Sequence, residues 1–275
     1  MARHRQPKKE AEKLDKEAGK LALKPLIFCA TQRTGSTMIF HDFRNIIGTP
    51  RPGFSEILYN RIIRGKTALP WSDVWTDICT VNGFQGYFMD KIMFHYTPLI
   101  SAFIERDSIA GVQTSIKFQP ELFDSFYKFF ADAIWVYVDR RDVFAQAVSM
   151  YLAEATQIWE RHRGAQEAAS APPFEVRYNS EKLLRYLRTF LAEREQWQLF
   201  FRHYKIKPIR ISYEEAVPGY PHYLKELLDK TGIQMVETPA PRRLLKIGDE
   251  VNEKWAEYLR NDVIADLYYR THAGT

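Results

Sequence analysis

Arg33-Thr-Gly-Ser-Thr37 places a guanidinium, three hydroxyls and a glycine in five consecutive positions. The run sits between the apolar stretch 26–30 and a segment whose apolar residues at 39, 40, 43, 46 and 47 have helical spacing. A small-residue turn at a helix start presents backbone N–H groups and a positive dipole end, which is chemistry for gripping an anion. Arg33 adds a fixed, planar cation to that turn, and Ser36 and Thr37 stand where they can cap the new helix. The nucleoside-triphosphate loop needs a Gly-Lys pair before its hydroxyl, and none is present here. A second pair stands farther on. Arg141 stands at the end of the strand-like run 133–138, where α/β sheets bind their ligands, and Ser149 stands about two turns into a following helix whose apolar stripe runs to about residue 160. His95 is a further candidate, although a lone histidine after an apolar run is more often a packed residue. The seven His and two Cys have no ligand spacing, so no metal is expected.

Cys29-Ala-Thr-Gln-Arg-Thr-Gly-Ser-Thr37 resembles the opening motif of the Stf0 family of bacterial sulfotransferases. The resemblance implies that this turn holds the 5′-phosphosulfate of PAPS through Arg33, Thr34, Gly35, Ser36 and Thr37. Arg33 then stands where other sulfotransferases carry a lysine. Arg141 and Ser149 have the eight-residue spacing of the family's 3′-phosphate site. Glu56 follows a Pro-containing loop, 48–54, at roughly the interval of the family's general base; on residue type alone it is equally a first-turn acid after Ser55. The segment Asn82–His95 resembles the family's Asn-Gly…Lys stretch, which makes Lys91 a candidate catalytic side chain. Arg242, Arg243 and Lys246 resemble the basic segment that closes over the donor, with Arg243 foremost. Tyr213-Glu-Glu matches an element that holds a strand end. The family also implies a carbohydrate or glycolipid acceptor, such as a trehalose-like glycan, and a homodimer. Trp71, Trp75, Tyr87 and Phe174 are aromatic surfaces for sugar rings, or core residues.

Strand-like and helix-like segments alternate along the chain, with strands expected at 26–30, 111–118, 133–138 and 208–212. This predicts an α/β, three-layer P-loop-type fold, a mainly parallel sheet flanked by helices, as in sulfotransferases. Residues 164–178 read as a loop over the acceptor, a long helix as running from Ser180 to about Tyr204, and 68–79 as a lid or partner surface. Residues 1–24 form a basic tail and 25–275 one sulfotransferase-like domain.

The net charge of +5 is concentrated in that tail, where eight basic residues face four acidic ones. The near-neutral body argues against nucleic acid as partner, leaving at most a weak anionic-surface contact through the tail. Two cysteines make no disulfide framework, and no stretch approaches the roughly 18 apolar residues of a membrane span, so a cytoplasmic protein is expected. The reaction implied is PAPS-dependent sulfuryl transfer to a sugar hydroxyl. The alternatives are an ATP-dependent small-molecule kinase, or a non-catalytic binding protein on a related fold.

Overall fold

Lys24–Ala30 forms strand β1, and its five inner residues, Leu26 to Ala30, are wholly buried. Such a continuous apolar run suits a strand covered on both faces. In the computed structural model, which describes residues 23–48, 56–65, 68–114, 117–160, 176–242, 244 and 250–272, β1 pairs with β2 (Tyr87–Met93) on one side. On its other side lies β3 (Ile134–Asp139), followed by β4 (Ile209–Ser212). All pairings are parallel and the order is β2-β1-β3-β4. The chain thus leaves β1 toward one edge and later returns on the opposite side. The carboxyl ends of β1 and β3 therefore flank a topological switch point, where sheets of this kind bind ligands.

The helices are α1 (Ser36–Ile46), α2 (Trp71–Asn82), α3 (Thr97–Arg106), α4 (Pro120–Phe129), α5 (Val143–Thr156), α6 (Ser180–His203), the short α7 (Tyr213–Ala216), α8 (His222–Thr231) and α9 (Glu250–His272). A π-helical turn, Tyr59–Arg64, precedes α2. Alternation along β1 divides the core. Ile27 and Cys29 face α2, α3, α4 and α6, whereas Leu26, Phe28 and Ala30 face α1 and α8. A third apolar cluster joins α5 and α6 to Ala256 and Leu259 of α9. Arg260 of α9 donates to Asp142 at 2.6 Å, and Asp142 in turn caps α5 by accepting from the Ala145 N–H at 2.9 Å.

Three expectations are corrected. Residues 111–114 and 117–118 join no strand; they are mostly exposed, and the place beside β1 belongs to β3. Phe118 instead turns inward onto Phe123 and Phe200. Trp71 is no lid: it is 2% exposed and packs against Phe103 and Phe129, while Trp75 stacks on it and meets Phe88. These indoles are core, so they offer no sugar platform. The helix carrying Ser149 ends at Thr156 rather than near 160, stopped by Gln157 in a left-handed conformation. Most of the basic tail, most of the loops 48–54 and 164–178, Phe174, Arg243 and Lys246 lie outside the described residues. Among the described residues no helix is long and apolar enough to cross a membrane.

Trp197 of α6 is fully buried, donates from its indole to the Ala30 carbonyl at 3.0 Å, and packs on Phe94, Phe200 and Phe201. Trp197→Ala is expected to cost about 3–5 kcal/mol of unfolding free energy. Trp197→Phe keeps much of the packing and should cost closer to 1 kcal/mol beyond any cavity, the worth of one hydrogen bond. Urea denaturation of both variants checks the order.

Candidate active site

The turn after β1 is built by hydrogen bonds that hold it open. The buried Thr34 hydroxyl donates back to the Thr31 carbonyl at 3.0 Å. The Gln146 amide, from α5, donates to the Thr31 hydroxyl at 2.8 Å and to the Gln32 carbonyl at 2.6 Å. Arg33 and Gly35 both take left-handed backbone angles, with φ of 63° and 75°. A Cβ on Gly35 would stand 2.4 Å from Cδ2 of Tyr213, so glycine is required by space as well as by conformation. Contrary to expectation, Ser36 and Thr37 do not cap α1. Gly35 occupies the N-cap with no side-chain hydrogen bond, Ser36 is buried, and the Thr37 hydroxyl is engaged elsewhere. Among the described residues no capping side chain claims the first-turn N–H groups.

Cations converge on this turn. Arg33 donates from Nε to the Ser149 hydroxyl at 3.1 Å and from Nη1 to the Trp159 carbonyl at 2.9 Å. Arg140, at the carboxyl end of β3, donates to the Arg33 carbonyl at 3.2 Å and lies 4.5 Å over the Tyr213 ring. Its Nε is buried, with no partner among the described residues. Burial lowers the pKa of both guanidiniums, and the charge of Arg140 lowers that of Arg33 further. Lys91, 4% exposed, reaches across from β2: its ammonium donates to the Thr37 hydroxyl at 2.9 Å and pairs with Glu56 at 3.4 Å. Burial lowers the Lys91 pKa, while Glu56 opposes the shift. The site therefore gathers buried and half-buried positive charge around a helix N-terminus, with one carboxylate, Glu56, held against the lysine. Such an arrangement suits a polyanion next to a group that can take a proton.

Of the residues singled out in the sequence, Arg33, Thr37, Ser149, Glu56 and Lys91 are brought into this one constellation. Arg141 is not. It is exposed, ion-paired with Glu215, and its backbone N–H donates to Glu214 at 3.1 Å. Tyr213-Glu-Glu thus holds the strand end as expected, and also packs on the turn. Arg242 is structural: it donates to Asp42 at 2.7 Å and to the Val217 and Ala216 carbonyls. His95 is half-buried and bonded to the buried Glu193 at 2.9 Å, and Tyr96 beside it stacks on Tyr59. Among the described residues no group of His, Cys, Asp or Glu could hold a metal ion. Sequence reasoning missed Arg140, Gln146 and Asp90. Asp90 carried a signal, an acid within an apolar run, and Arg140 and Gln146 lie in the same stretch as Arg141 and Ser149. Asp90 is fully buried and accepts from the backbone of Ile57, Leu58 and Lys91.

A model of the family described as Stf0 sulphotransferase matches residues 25–262. The trehalose 2-sulfotransferase of Mycolicibacterium smegmatis is 22% identical over 86% of this chain and 94% of its own length. That of Mycobacterium tuberculosis is 24% identical over 87% of this chain and 95% of its own. A solved structure, a sulfotransferase from Alicyclobacillus acidocaldarius, overlaps with a TM-score of 0.42 at 11% identity, covering 88% of this chain and 93% of that one.

Two outcomes test this geometry. Gly35→Ala should lower stability by about 1–3 kcal/mol from backbone strain alone, and by more from the clash. In a Tyr213→Ala background the same change should cost less, a difference that a double-mutant cycle in urea reads directly. Burial pushes the Asp90 carboxyl up from 3.8 to about 7, against the pull of its backbone donors. A raised folded-state pKa means the contribution of Asp90 is complete below about pH 4 and is lost as pH rises to about 7. The stability of the wild type relative to Asp90→Asn should therefore fall across that window and level off above it, measured by denaturation at a series of pH values.

Proposed function

The chain belongs to the Stf0 sulfotransferase family, and we propose that it transfers a sulfuryl group from PAPS to a hydroxyl of a carbohydrate acceptor, releasing adenosine 3′,5′-bisphosphate. The observation that carries this reading is the Thr37–Lys91–Glu56 chain, which joins the anion-gripping turn to a carboxylate through one buried ammonium. The relatives' action on trehalose makes that disaccharide the first acceptor to try.

In the proposed reaction the acceptor oxygen attacks sulfur in line, and the bond from sulfur to the 5′-phosphate oxygen breaks. Glu56 takes the acceptor proton as the bond forms. Lys91, between Glu56 and Thr37, faces the charge that grows on the departing phosphate. Arg33, with the N–H groups of Thr34 to Thr37, holds the phosphosulfate; its contact with the Trp159 carbonyl is neutral and is readily exchanged for an anionic oxygen. The unpartnered Nε of Arg140 fits the same demand for negative charge. Ser149 and Arg141 take the 3′-phosphate. For this Arg141 leaves Glu215, a surface pair whose loss costs little in water. Arg243 is proposed to close over the donor. Protein donors carry the charge stabilisation in this scheme.

Thermal melting with PAPS, adenosine 3′,5′-bisphosphate and ATP tests the donor. Stabilisation by the two 3′-phosphorylated compounds is expected, roughly 2.7 kcal/mol at a hundred times the dissociation constant. A shift with ATP alone would overturn the donor assignment. Glu56→Gln should lower turnover with trehalose by about 100- to 10,000-fold while leaving the PAPS-induced shift in place. Full turnover in that variant would remove Glu56 from the chemistry.

A further inference from the structure

Asp90 has no place in the reaction above, yet its carboxylate is fully committed. Oδ1 accepts from the Ile57 N–H at 2.7 Å and from the Lys91 N–H at 2.7 Å, and Oδ2 accepts from the Leu58 N–H at 2.9 Å. Ile57 and Leu58 begin the helical segment that runs on into the π-helical turn 59–64. Their N–H groups are among those that a helix start leaves without partners. Asp90 satisfies them from another element, doing from β2 what a capping side chain does from within a helix.

The placement matters because of what lies one residue away on either side. β2 is an edge strand of the sheet, and successive strand residues point to opposite faces. Asp90 therefore faces the core that holds Ile57 and Leu58, while Lys91 faces α1 and its Thr37. Glu56 immediately precedes the two clamped N–H groups and meets Lys91 at 3.4 Å. One carboxylate thus ties the backbone after Glu56 to the backbone of Lys91. The charged groups that act on Asp90 or feel it are Lys91, Glu56 and Arg44 of α1.

We propose that Asp90 is a positioning residue that sets the Glu56–Lys91 pair by clamping the segment behind Glu56 onto strand β2. This rests on the reading of Glu56 as the base. An asparagine has almost the same shape but a single acceptor oxygen; its NH2 group opposes a backbone donor, so one side of the clamp opens. The clamp matters for orientation, and misplacement of about 1 Å is enough to cost 100-fold in rate.

The test is a double-mutant cycle of Asp90→Asn and Glu56→Gln, read as release of adenosine 3′,5′-bisphosphate from PAPS, with trehalose and with water as acceptors. Asp90→Asn should lower kcat at least tenfold with KM for PAPS unchanged within twofold. In the Glu56→Gln background it should change kcat by less than twofold, since there is then no base left to position. Hydrogen exchange should show the Ile57 and Leu58 amides opening at least tenfold faster in Asp90→Asn while those of β1 stay protected. Loss of kcat of equal size in both backgrounds would reduce Asp90 to a structural role and overturn the proposal. So would unchanged kcat in the single variant, or unchanged exchange at 57 and 58. If Glu56→Gln itself retains full turnover, the base assignment is what fails, whatever the exchange data show.

Discussion

Everything around the turn after β1 answers to one constraint: cations taken out of water must be paired. Arg33, Arg140 and Lys91 are held at or beneath the surface near an uncapped helix start, and burial disfavours the charge on each. The free protein meets part of that demand with neutral oxygens, the Ser149 hydroxyl and the Trp159 carbonyl, and part with Glu56. Neutral acceptors hold a guanidinium about half as strongly as an anion does. The unfilled remainder favours a polyanion over any neutral ligand. The sheet order serves the same end, because it sets the carboxyl ends of β1 and β3 side by side, where Arg33 and Arg140 follow.

The parts of this arrangement that are local in sequence were legible there. A strand, a hydroxyl-rich turn and a helix occupy consecutive residues, so Arg33 to Thr37 could be placed by periodicity. The same holds for the β3–α5 junction. Parallel pairing was inferred from alternation and is borne out, although one expected strand, 111–118, is not in the sheet. There, β-branched residues suggested a strand, but of the described residues 111–114 and 117–118 only Val112 and Phe118 are even half-buried. The indoles of α2 were ambiguous for a related reason: an aromatic stripe looks alike whether it meets a ligand or a neighbouring helix.

The choice between Arg140 and Arg141 lies beyond sequence. Adjacent residues at a strand end diverge in direction, and only the contacts with Tyr213 and with Glu215 show which one turns inward. The clamp by Asp90 was hidden because its partners are backbone groups, which carry no side-chain signature. Glu56 and Lys91 were brought together only by likeness to a family; 35 positions separate them, and no periodicity links them. Their pairing in the fold is a fact of packing at the sheet edge.

The support of α5 by α9 has a consequence for how the molecule is made. α5 carries Gln146 and Ser149 to the turn, and its capping residue Asp142 is gripped by Arg260, while Ala256 and Leu259 complete the apolar cluster beneath it. On the ribosome, β1 emerges before its neighbours in the sheet, and its interior place is unfilled until β3 has been translated more than a hundred residues later. The helix that braces the site, α9, begins more than a hundred residues after β3. During synthesis, then, the apolar residues Leu26 to Ala30 wait without their β3 neighbour while more than a hundred further residues are added. A chain stopped short of residue 256 would contain every residue of the turn without the buttress that holds its neighbours in place.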